Sequence, residues 1–358
     1  MKPHLAAVKN YQPGKPIEEL EREYGVRNAV KLASNENALG PSPRAVRAMR
    51  AALGCVNRYP DSGCFRLRQK LAGKLRVPPG WIVFGNGSDE LLVMAMRAFA
   101  GAGDRVVIAD PTFLIYEIAA QAENASVVKV PIRGFRYDLE GMRSAIDGAT
   151  KLVFIANPDN PVGTYVRRAA LEEFMAAVPS GVTVVLDEAY HEFAAAKKDY
   201  PDALALLKRY ANLIVTRTFS KAYGLSGLRI GYALAQGPVA SALAKVREPF
   251  NVNLLAQVAA EAALDDRAHL QKTLRMTRAG LSYLNRELEK LGLKVIETAT
   301  NFALCDLGRD AGAVYEALLR RGVIIRPMAA WGLPTFIRVT VGMPAENKKF
   351  IEALKQIL

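Results

Sequence analysis

One lysine in this chain lies in a segment that could support covalent chemistry on an aldehyde. Within residues 216–229, Lys221 is surrounded by hydroxyl side chains, glycines and an arginine. A lysine amine forms an imine with an aldehyde, and the nearby Thr218, Ser220 and Arg229 can hold an anionic group. A lysine on an ordinary surface loop would not need so many small neighbours. The segment therefore predicts an imine-forming lysine beside an anion site.

A carboxylate follows another apolar run of the chain. Asp187 comes directly after residues 182–186 and is followed by Glu, Ala and Tyr190. Burying such a charge is costly unless a cation or several hydrogen bonds compensate it. A protonated pyridine nitrogen is one cation that would do so. Taken alone, the position is equally typical of an aspartate that caps a helix or lies in a loop.

Two loops could present polar groups to a ligand. Residues 85–90 follow the predicted strand 81–84 and open a helix, where glycines and free N–H groups favour a phosphate. An ordinary helix cap is the alternative interpretation of that motif. Asn160 lies in the loop 157–163, at the end of a predicted strand, where open α/β sheets bind ligands. A loop stiffened by prolines and without a ligand is the alternative there.

Short apolar runs that alternate with helix-length segments must position these residues. The apolar runs lie at residues 81–84, 105–109, 127–130, 152–156, 182–186 and 213–216. Such a pattern predicts a doubly wound α/β domain with a mostly parallel sheet covered on both faces. After about residue 250, long helical periodicity and then short strands indicate a smaller α+β domain. We therefore expect an N-terminal arm (1–35) that packs with the small domain (251–358), and a large domain (36–250) between them.

Composition narrows the class of protein. The chain has 358 residues, a net charge of +13, three cysteines without a CxxC pair and three scattered histidines, so neither a disulfide framework nor a metal site is expected. Basic residues never run longer than two, which favours a solvated surface over nucleic-acid binding. No stretch reaches the ~20 apolar residues of a membrane span. We expect a soluble, cytoplasmic protein that attracts small anions.

The motifs together resemble a known family. The loop from Asn157 to Gly163, the segment from Asp187 to Tyr190, and Lys221 followed eight residues later by Arg229 are similar in order and spacing to the fold-type I pyridoxal-phosphate aminotransferases. Within that family, the segments 11–19, 32–37, 58–61, 217–221 and 326–342 resemble the histidinol-phosphate aminotransferases. The resemblance implies a large domain with a mostly parallel seven-stranded sheet, a smaller α+β domain, pyridoxal phosphate as cofactor and a homodimer as the active unit.

The resemblance also implies a role for each matching residue. Lys221 would carry the cofactor as a Schiff base and move the proton, Asp187 would pair with the pyridinium nitrogen, and Asn160 and Tyr190 would bond the ring hydroxyl oxygen. Phe113 would lie where the family often stacks a tyrosine on the ring. The cofactor phosphate would be surrounded by Gly87, Ser88, Asp89, Thr218, Ser220 and Arg229, with Tyr59 reaching it from the neighbouring subunit.

Substrate recognition is implied in the same way. Arg338 would clamp an α-carboxylate and Arg326 would face the distal phosphate or carboxylate, with Tyr11 and Asn35 nearby. The implied reaction is amino transfer between L-histidinol phosphate and 2-oxoglutarate in histidine biosynthesis. Three positions depart from the family pattern, because Asp159, Val162 and Phe113 replace the commoner Asn, Thr and Tyr. These departures concern the positioning of the ring and the choice of substrate, and they leave the reaction class untouched.

Three other functions remain open. An aromatic amino acid aminotransferase would share every cofactor residue and differ only in the substrate pocket. A decarboxylase acting on threonine phosphate would release carbon dioxide without needing a keto acid. A regulatory binding module built on this fold is the alternative from another class, although no helix-turn-helix segment with a basic recognition helix remains in the sequence.

Overall fold

The computed structural model describes residues 2–8 and 10–358. Its strands are β1 (Val30–Lys31), β2 (Ile82–Gly85), β3 (Arg105–Asp110), β4 (Ser126–Pro131), β5 (Thr150–Ala156), β6 (Thr183–Asp187), β7 (Leu213–Thr218), β8 (Gly231–Ala235), β9 (Lys294–Ile296), β10 (Phe302–Asp306), β11 (Val323–Ile324), β12 (Arg326–Pro327) and β13 (Phe336–Thr340). Its α-helices are α1 (Ile17–Tyr24), α2 (Pro43–Ala52), α3 (Phe65–Leu75), α4 (Ser88–Phe99), α5 (Ile115–Ala122), α6 (Leu139–Ser144), α7 (Arg168–Ala177), α8 (His191–Ala194), α9 (Ala203–Arg209), α10 (Gly237–Lys245), α11 (Leu254–Asp265), α12 (Arg267–Lys290), α13 (Ala311–Leu319) and α14 (Pro344–Lys355). Short 3₁₀ segments lie at Pro3–Ala7, Leu53–Cys55, Pro79–Trp81, Ser226–Leu228 and Ala329–Trp331.

Seven strands form one large sheet in the order β2-β8-β7-β6-β5-β3-β4. Strand β8 is antiparallel to both of its neighbours, and the other pairs are parallel. Every side chain of β6, β7 and β8 is buried, because a parallel sheet covered on both faces leaves no strand face in water. The mostly parallel seven-stranded sheet is confirmed.

Helices cover the two faces of this sheet in separate apolar layers. Helices α4, α5 and α10 pack on one face, around buried residues such as Tyr116 and Phe154. Helices α2, α3, α7, α9 and α11 contribute to the core on the other face. Because apolar side chains fill both layers, the sheet is a rigid platform for the loops at its edges.

The C-terminal part of the chain builds a second, smaller sheet in the order β12-β13-β10-β9, which is antiparallel throughout. Helices α12, α13 and α14 cover it around a core that includes Phe350. Strand β1 of the N-terminal segment pairs in parallel with β11, so this segment does lie against the C-terminal part. Helix α11 packs on α2 and α3 of the large unit. The division of the chain at residues 35 and 250 remains a prediction.

The ends of several strands meet at one edge of the large sheet. Parallel strands β5, β6 and β7 end at Ala156, Asp187 and Thr218. Strand β2 ends at Gly85, which pairs with Gly231 at the start of β8, and Gly231 in turn pairs with Thr218. The loops after β2, β5, β6 and β7 therefore emerge side by side, as the switch-point rule for open sheets requires of a ligand site.

Membrane-spanning helices and clusters of metal ligands are both absent from residues 2–8 and 10–358. Within these ranges, no helix is both long enough and apolar enough to cross a membrane. The same residues contain no group of three or more His, Cys, Asp or Glu side chains that could hold a metal ion.

Candidate active site

A cavity of about 350 Å³ opens at this edge, between the large sheet, the N-terminal segment and the small sheet. Its volume lies within the range of small-molecule sites. Of the site residues predicted from the sequence, the structure brings the following to its wall: Tyr11, Asn35, Ser88, Asp89, Phe113, Asn160, Asp187, Tyr190, Thr218, Ser220, Lys221, Arg229, Arg326 and Arg338. Gly87 lies directly behind Arg229. Tyr59 does not line the cavity.

Asp187 is buried at the end of β6 and is held by neutral donors. Its Oδ2 accepts a hydrogen bond from the Tyr116 hydroxyl (2.8 Å), and its Oδ1 accepts bonds from the Thr216 hydroxyl (3.0 Å) and the Ala189 N–H (3.2 Å). Burial raises the pKa of Asp187 to about 6, although these hydrogen bonds oppose the shift. A carboxylate kept out of water with only neutral partners favours a cationic ligand.

Lys221 extends into the cavity from the loop after β7. Its Nζ donates a hydrogen bond to the Ser34 carbonyl (3.1 Å) and lies 5.9 Å from the centre of the Tyr190 ring. Burial, with a smaller contribution from the nearby Arg338 cation, lowers the pKa of Lys221 to about 8. A substantial fraction of the amine is therefore neutral near physiological pH, as a nucleophilic lysine requires.

The start of α4 forms an anion seat with the loop around Arg229. Gly87 precedes the helix with φ +85° and supplies no side-chain cap, so the first N–H groups of α4 remain free for an anion. A Cβ on Gly87 would collide with the Arg229 guanidinium, and a Cβ on Gly231 would lie 2.6 Å from the Ser88 nitrogen. Glycine at these two positions is what lets Arg229 and the helix start approach each other.

Hydroxyl groups and one carboxylate complete the seat. Arg229 Nη2 donates to Asp89 Oδ2 (2.9 Å), and its Nη1 lies 3.5 Å from Ser220 Oγ. The Thr218 hydroxyl accepts a hydrogen bond from the Ser220 N–H (3.0 Å). The seat thus combines a cation, two hydroxyls and a helix N-terminus, which are the groups that bind a phosphate.

Two arginines face the cavity from neighbouring strands of the small sheet. Arg326 on β12 lies directly opposite Arg338 on β13, so both side chains leave the same face. Arg338 is buried and donates to the Asn160 side-chain oxygen and to the Ala33 carbonyl (2.9 Å), while its Nε has no partner in the part of the chain that the structure describes. Burial lowers the pKa of Arg338. An incoming carboxylate would supply the missing acceptor.

Arg326 lies between two aromatic rings. Its guanidinium carbon is 5.8 Å from the centre of the Tyr11 ring and 5.1 Å from that of the Trp331 ring. Its Nη2 donates to the Gln12 carbonyl (2.5 Å). These contacts orient the guanidinium and leave its remaining donors available for a second anion.

Several predicted residues have partners that sequence reasoning did not anticipate. The Asn160 side chain contacts Arg338, and the Tyr190 hydroxyl accepts a hydrogen bond from Asn35 (2.8 Å). Phe113 packs edge-on against Tyr116, with ring centres 5.7 Å apart. Hydrogen bonds and contacts between aromatic rings therefore connect the cavity residues to one another.

Other functional residues were missed at the sequence level. Tyr116 and Thr216 bind Asp187, and Trp331 forms a wall of the cavity. Thr216 could have been found, because pairing the carboxyl ends of the predicted strands 182–186 and 213–216 places it beside Asp187. Tyr116 and Trp331 have no comparable signal, since only the packing of α5 and of the small sheet brings them to the cavity.

A buried ion pair lies beneath the site. Arg217 donates from Nε (2.8 Å) and Nη2 (2.7 Å) to Glu188 Oε2, and the Tyr200 hydroxyl donates to Glu188 Oε1 (3.0 Å) and to the Asn157 carbonyl (2.5 Å). Burial alone would raise the pKa of Glu188, but the Arg217 charge holds it at about 2. Glu188 directly follows Asp187, and Arg217 directly precedes Thr218. The ion pair between them therefore fixes the ends of β6 and β7 relative to each other.

Comparison with known proteins identifies the family. Residues 27–354 match the family model described as aminotransferase class I and II. The chain belongs to this aminotransferase family. It is 49% identical to a histidinol-phosphate aminotransferase from Moorella thermoacetica over 99% of this chain and 92% of that protein. It is also 49% identical to histidinol-phosphate aminotransferase 2 of Pseudomonas aeruginosa, over 99% and 97% of the two chains.

A solved structure shares the whole fold. The histidinol-phosphate aminotransferase from Sinorhizobium meliloti, in complex with pyridoxal-5'-phosphate, matches this aminotransferase with a TM-score of 0.91 and 32% identity, over 100% of this chain and 98% of that one. The fold class and the family expected from the sequence are both confirmed.

The lowered pKa of Lys221 predicts an unusual reactivity. With a pKa of about 8, its amine should react with an acylating reagent in the ligand-free protein at pH 8 on the order of 100-fold faster than an exposed lysine with a pKa near 10.4. Mass spectrometry of peptides after brief labelling at several pH values from 7 to 10 would give the curve of labelling rate against pH for each lysine. Arg338→Met should shift the curve of Lys221 to higher pH, because it removes a nearby cation. A Lys221 curve that overlies those of surface lysines would contradict the account.

Proposed function

We propose that this aminotransferase transfers an amino group reversibly between L-histidinol phosphate and 2-oxoglutarate, as part of histidine biosynthesis and in the cytoplasm. The observation that carries the proposal is the cavity itself, which Lys221 lines together with a buried carboxylate, an anion seat and two arginines. The relatives named histidinol-phosphate aminotransferase, which match over almost the full chain, support this choice of substrate.

The residues present fit pyridoxal phosphate. Among the described residues, the buried carboxylate of Asp187 has no cationic partner, which suits the protonated ring nitrogen, and the seat at the start of α4 suits the phosphate. Phe113 would lie against the ring, and Asn160 and Tyr190 would lie near its hydroxyl oxygen. The phosphate would be held by Gly87, Ser88, Asp89, Thr218, Ser220 and Arg229. When bound, pyridoxal phosphate supplies an aldehyde that combines with amines and a ring that takes up electrons.

Lys221 would provide both the attachment and the proton transfer. Its pKa of about 8 lets Nζ accept a proton from the substrate carbon and return it within one turnover. The hydrogen bond from Nζ to the Ser34 carbonyl (3.1 Å) holds the amine inside the cavity. Asp187, fixed by Tyr116 and Thr216, would hold the proton on the ring nitrogen because its own charge is uncompensated.

Two arginines allow one cavity to serve two substrates in turn. Arg338, with a free Nε, would bind the α-carboxylate of glutamate, and Arg326 would bind its distal carboxylate or the phosphate of histidinol phosphate. Tyr11 and Trp331, which flank Arg326, offer aromatic surface to an imidazole ring. Asn35, which donates a hydrogen bond to the Tyr190 hydroxyl, would help to bind the substrate.

We also propose a homodimer in which Tyr59 reaches the cofactor phosphate of the neighbouring subunit. Tyr59 is 84% exposed and stacks on Phe250, with ring centres 4.7 Å apart. Leu53, Val56 and Phe65 belong to the same part of the chain and are each more than half exposed. A cluster of large exposed apolar side chains is typical of a protein interface, and the absence of Tyr59 from its own cavity fits a role in the partner's cavity.

Substrate choice can be tested by a screen of the purified protein with added pyridoxal phosphate. We expect rapid formation of glutamate from histidinol phosphate and 2-oxoglutarate, and none with Lys221→Ala. Arg326→Met should lower kcat/KM for histidinol phosphate by roughly 10- to 100-fold, because it removes charged hydrogen bonds to the phosphate. The exposed Arg309→Met serves as the control.

Each rival function has its own outcome in this screen. Faster turnover of phenylalanine would indicate an aromatic aminotransferase. Carbon dioxide release from threonine phosphate would indicate the decarboxylase, the activity named for a neighbour from Porphyromonas gingivalis at 28% identity and a TM-score of 0.81. Cofactor binding without any turnover would indicate a binding module.

The role of Tyr59 across subunits can be tested by mixing two inactive variants. Lys221→Ala lacks the nucleophile and Tyr59→Ala should bind the cofactor weakly. In a mixed dimer, the Tyr59→Ala chain keeps its own Lys221 and receives Tyr59 from its partner, so one native site forms. Random mixing should then restore about a quarter of the wild-type activity. If Tyr59 served the cavity of its own chain, the mixture would gain nothing over the two variants measured separately.

A further inference from the structure

A buried ring of three oxygen atoms lies behind the cavity wall. Asp159 Oδ1 lies within hydrogen-bond distance of the Tyr137 hydroxyl (2.8 Å) and the Thr112 hydroxyl (3.3 Å), and these two hydroxyls also contact each other. Asp159 Oδ2 accepts a hydrogen bond from the Val162 N–H (3.2 Å). The carboxylate is 2% exposed, and hydrogen bonds are what stabilise its charge. Burying a carboxylate this deeply costs free energy, so its place in the fold must offset that cost.

The ring is connected to three walls of the cavity. Asp159 directly precedes Asn160, whose side-chain oxygen accepts from Arg338. Thr112 directly precedes Phe113, and its carbonyl accepts a hydrogen bond from Trp331 Nε1 (2.9 Å). A shift in the oxygen ring would therefore move two groups together: Asn160, which is the partner of Arg338, and the Trp331 side chain, which flanks Arg326.

We propose that Asp159 is a positioning residue, which acts through its ring with Thr112 and Tyr137 to set the cavity walls carrying Asn160, Phe113 and Trp331. The inference rests on the proposed function in one respect, that Arg338 and Arg326 bind the substrate anions. It also gives a structural role to Asp159, which replaces the asparagine that is commoner in the family.

The protonation state of the Asp159 carboxyl group decides whether all three contacts of the ring can form. Three oxygen-to-oxygen contacts need three hydrogens, and the two hydroxyls supply only two of them. A protonated Asp159 supplies the third, so that each oxygen donates once and accepts once. An ionised Asp159 leaves one contact without a hydrogen, and that contact opens. The ring is thus closed in the protonated form and open in the ionised form.

The charges around Asp159 place this change near neutrality. Burial raises the pKa of Asp159 to about 7, and the hydrogen bonds from Tyr137, Val162 and Thr112 limit the rise. The titratable groups that face it are Tyr137 and Tyr116, whose pKa values are raised well above normal, and Arg338. Both tyrosines therefore stay neutral near pH 7. Above that pH, the negative charge on Asp159 also opposes the binding of an anion at Arg338.

Two variants separate the closed ring from the open ring. In Asp159→Asn, the amide oxygen can accept from the Val162 N–H while the amide nitrogen donates to the two hydroxyls, so the ring is closed at every pH. In Tyr137→Phe one ring oxygen is missing, so the ring is open at every pH. Tyr165→Phe is the matched control, because the Tyr165 hydroxyl donates to Asp199 (2.6 Å) outside the cavity.

Trp331 provides a readout that needs no turnover. The chain has two tryptophans, so in a Trp81→Phe background the emission reports on Trp331 alone. In the ligand-free protein we expect the emission to change with a midpoint near pH 7. Asp159→Asn should keep the low-pH emission throughout, and Tyr137→Phe should keep the high-pH emission. Tyr165→Phe should titrate like its parent.

Substrate affinity should follow the same pattern. At pH 8, Asp159→Asn should lower the KM for 2-oxoglutarate by about threefold, and at pH 6 Tyr137→Phe should raise it by roughly 3- to 10-fold, the worth of one hydrogen bond. In both variants kcat should stay within about twofold of the parent value, because neither residue touches the reacting atoms.

Two results would overturn the inference: an emission curve in Asp159→Asn that matches the parent, or a Tyr137→Phe protein that behaves like Tyr165→Phe. A protein that makes no glutamate from any donor would contradict the proposed function, while the emission titration would still test the ring. Normal turnover with no change in emission would contradict the ring alone.

Discussion

The buried carboxylate of Asp187 is the constraint on which the rest of the site depends. It ends a fully buried strand, its partners are a tyrosine, a threonine and a backbone N–H, and burial raises its pKa to about 6. Keeping that charge at neutral pH costs on the order of 3 kcal/mol relative to an aspartate in water. A protein retains such a cost where a bound cation offsets it, which is why this carboxylate predicts a ligand with a positive ring nitrogen.

The neighbouring residues can be understood as support for this one position. Directly after Asp187, the ion pair between Glu188 and Arg217 holds β6 against β7 and so fixes Asp187 relative to Lys221 and the anion seat. Separating the members of a buried pair leaves uncompensated charges, so the pair holds the two strand ends together. The small sheet contributes the two arginines from the opposite side. The cavity therefore brings together the residues proposed to bind the ring, on the large sheet, and those proposed to bind the substrate, on the small sheet.

Much of this arrangement could be predicted from the sequence. Apolar runs and strand-end motifs predicted the parallel sheet and placed Lys221, Asp187 and Asn160 at one edge, because the carboxyl ends of parallel strands meet there. Neither the position nor the direction of the antiparallel strand β8 was predicted, since residues 231–235 consist largely of glycine and alanine and lack the β-branched side chains typical of strands. Tyr116 and Trp331 were missed because tertiary packing alone brings them to the cavity. Asp159 was noted only as a departure from a family pattern, and the structure supplies its partners.

The central claim, that Asp187 is the counter-charge for a cationic ring nitrogen, is tested most directly by measuring two quantities in Asp187→Asn. One is the unfolding midpoint of the ligand-free protein, and the other is the dissociation constant of pyridoxal phosphate. The pKa of Asp187 is about 6 in the fold and about 3.9 in an unfolded chain, so the destabilisation by its charge grows between about pH 4 and pH 6 and is complete above that. The variant should therefore be more stable than wild type at pH 8 and little different at pH 4. Its dissociation constant should rise by roughly 100-fold, the equivalent of about 3 kcal/mol. Unchanged cofactor affinity, with or without a gain in stability, would contradict the account.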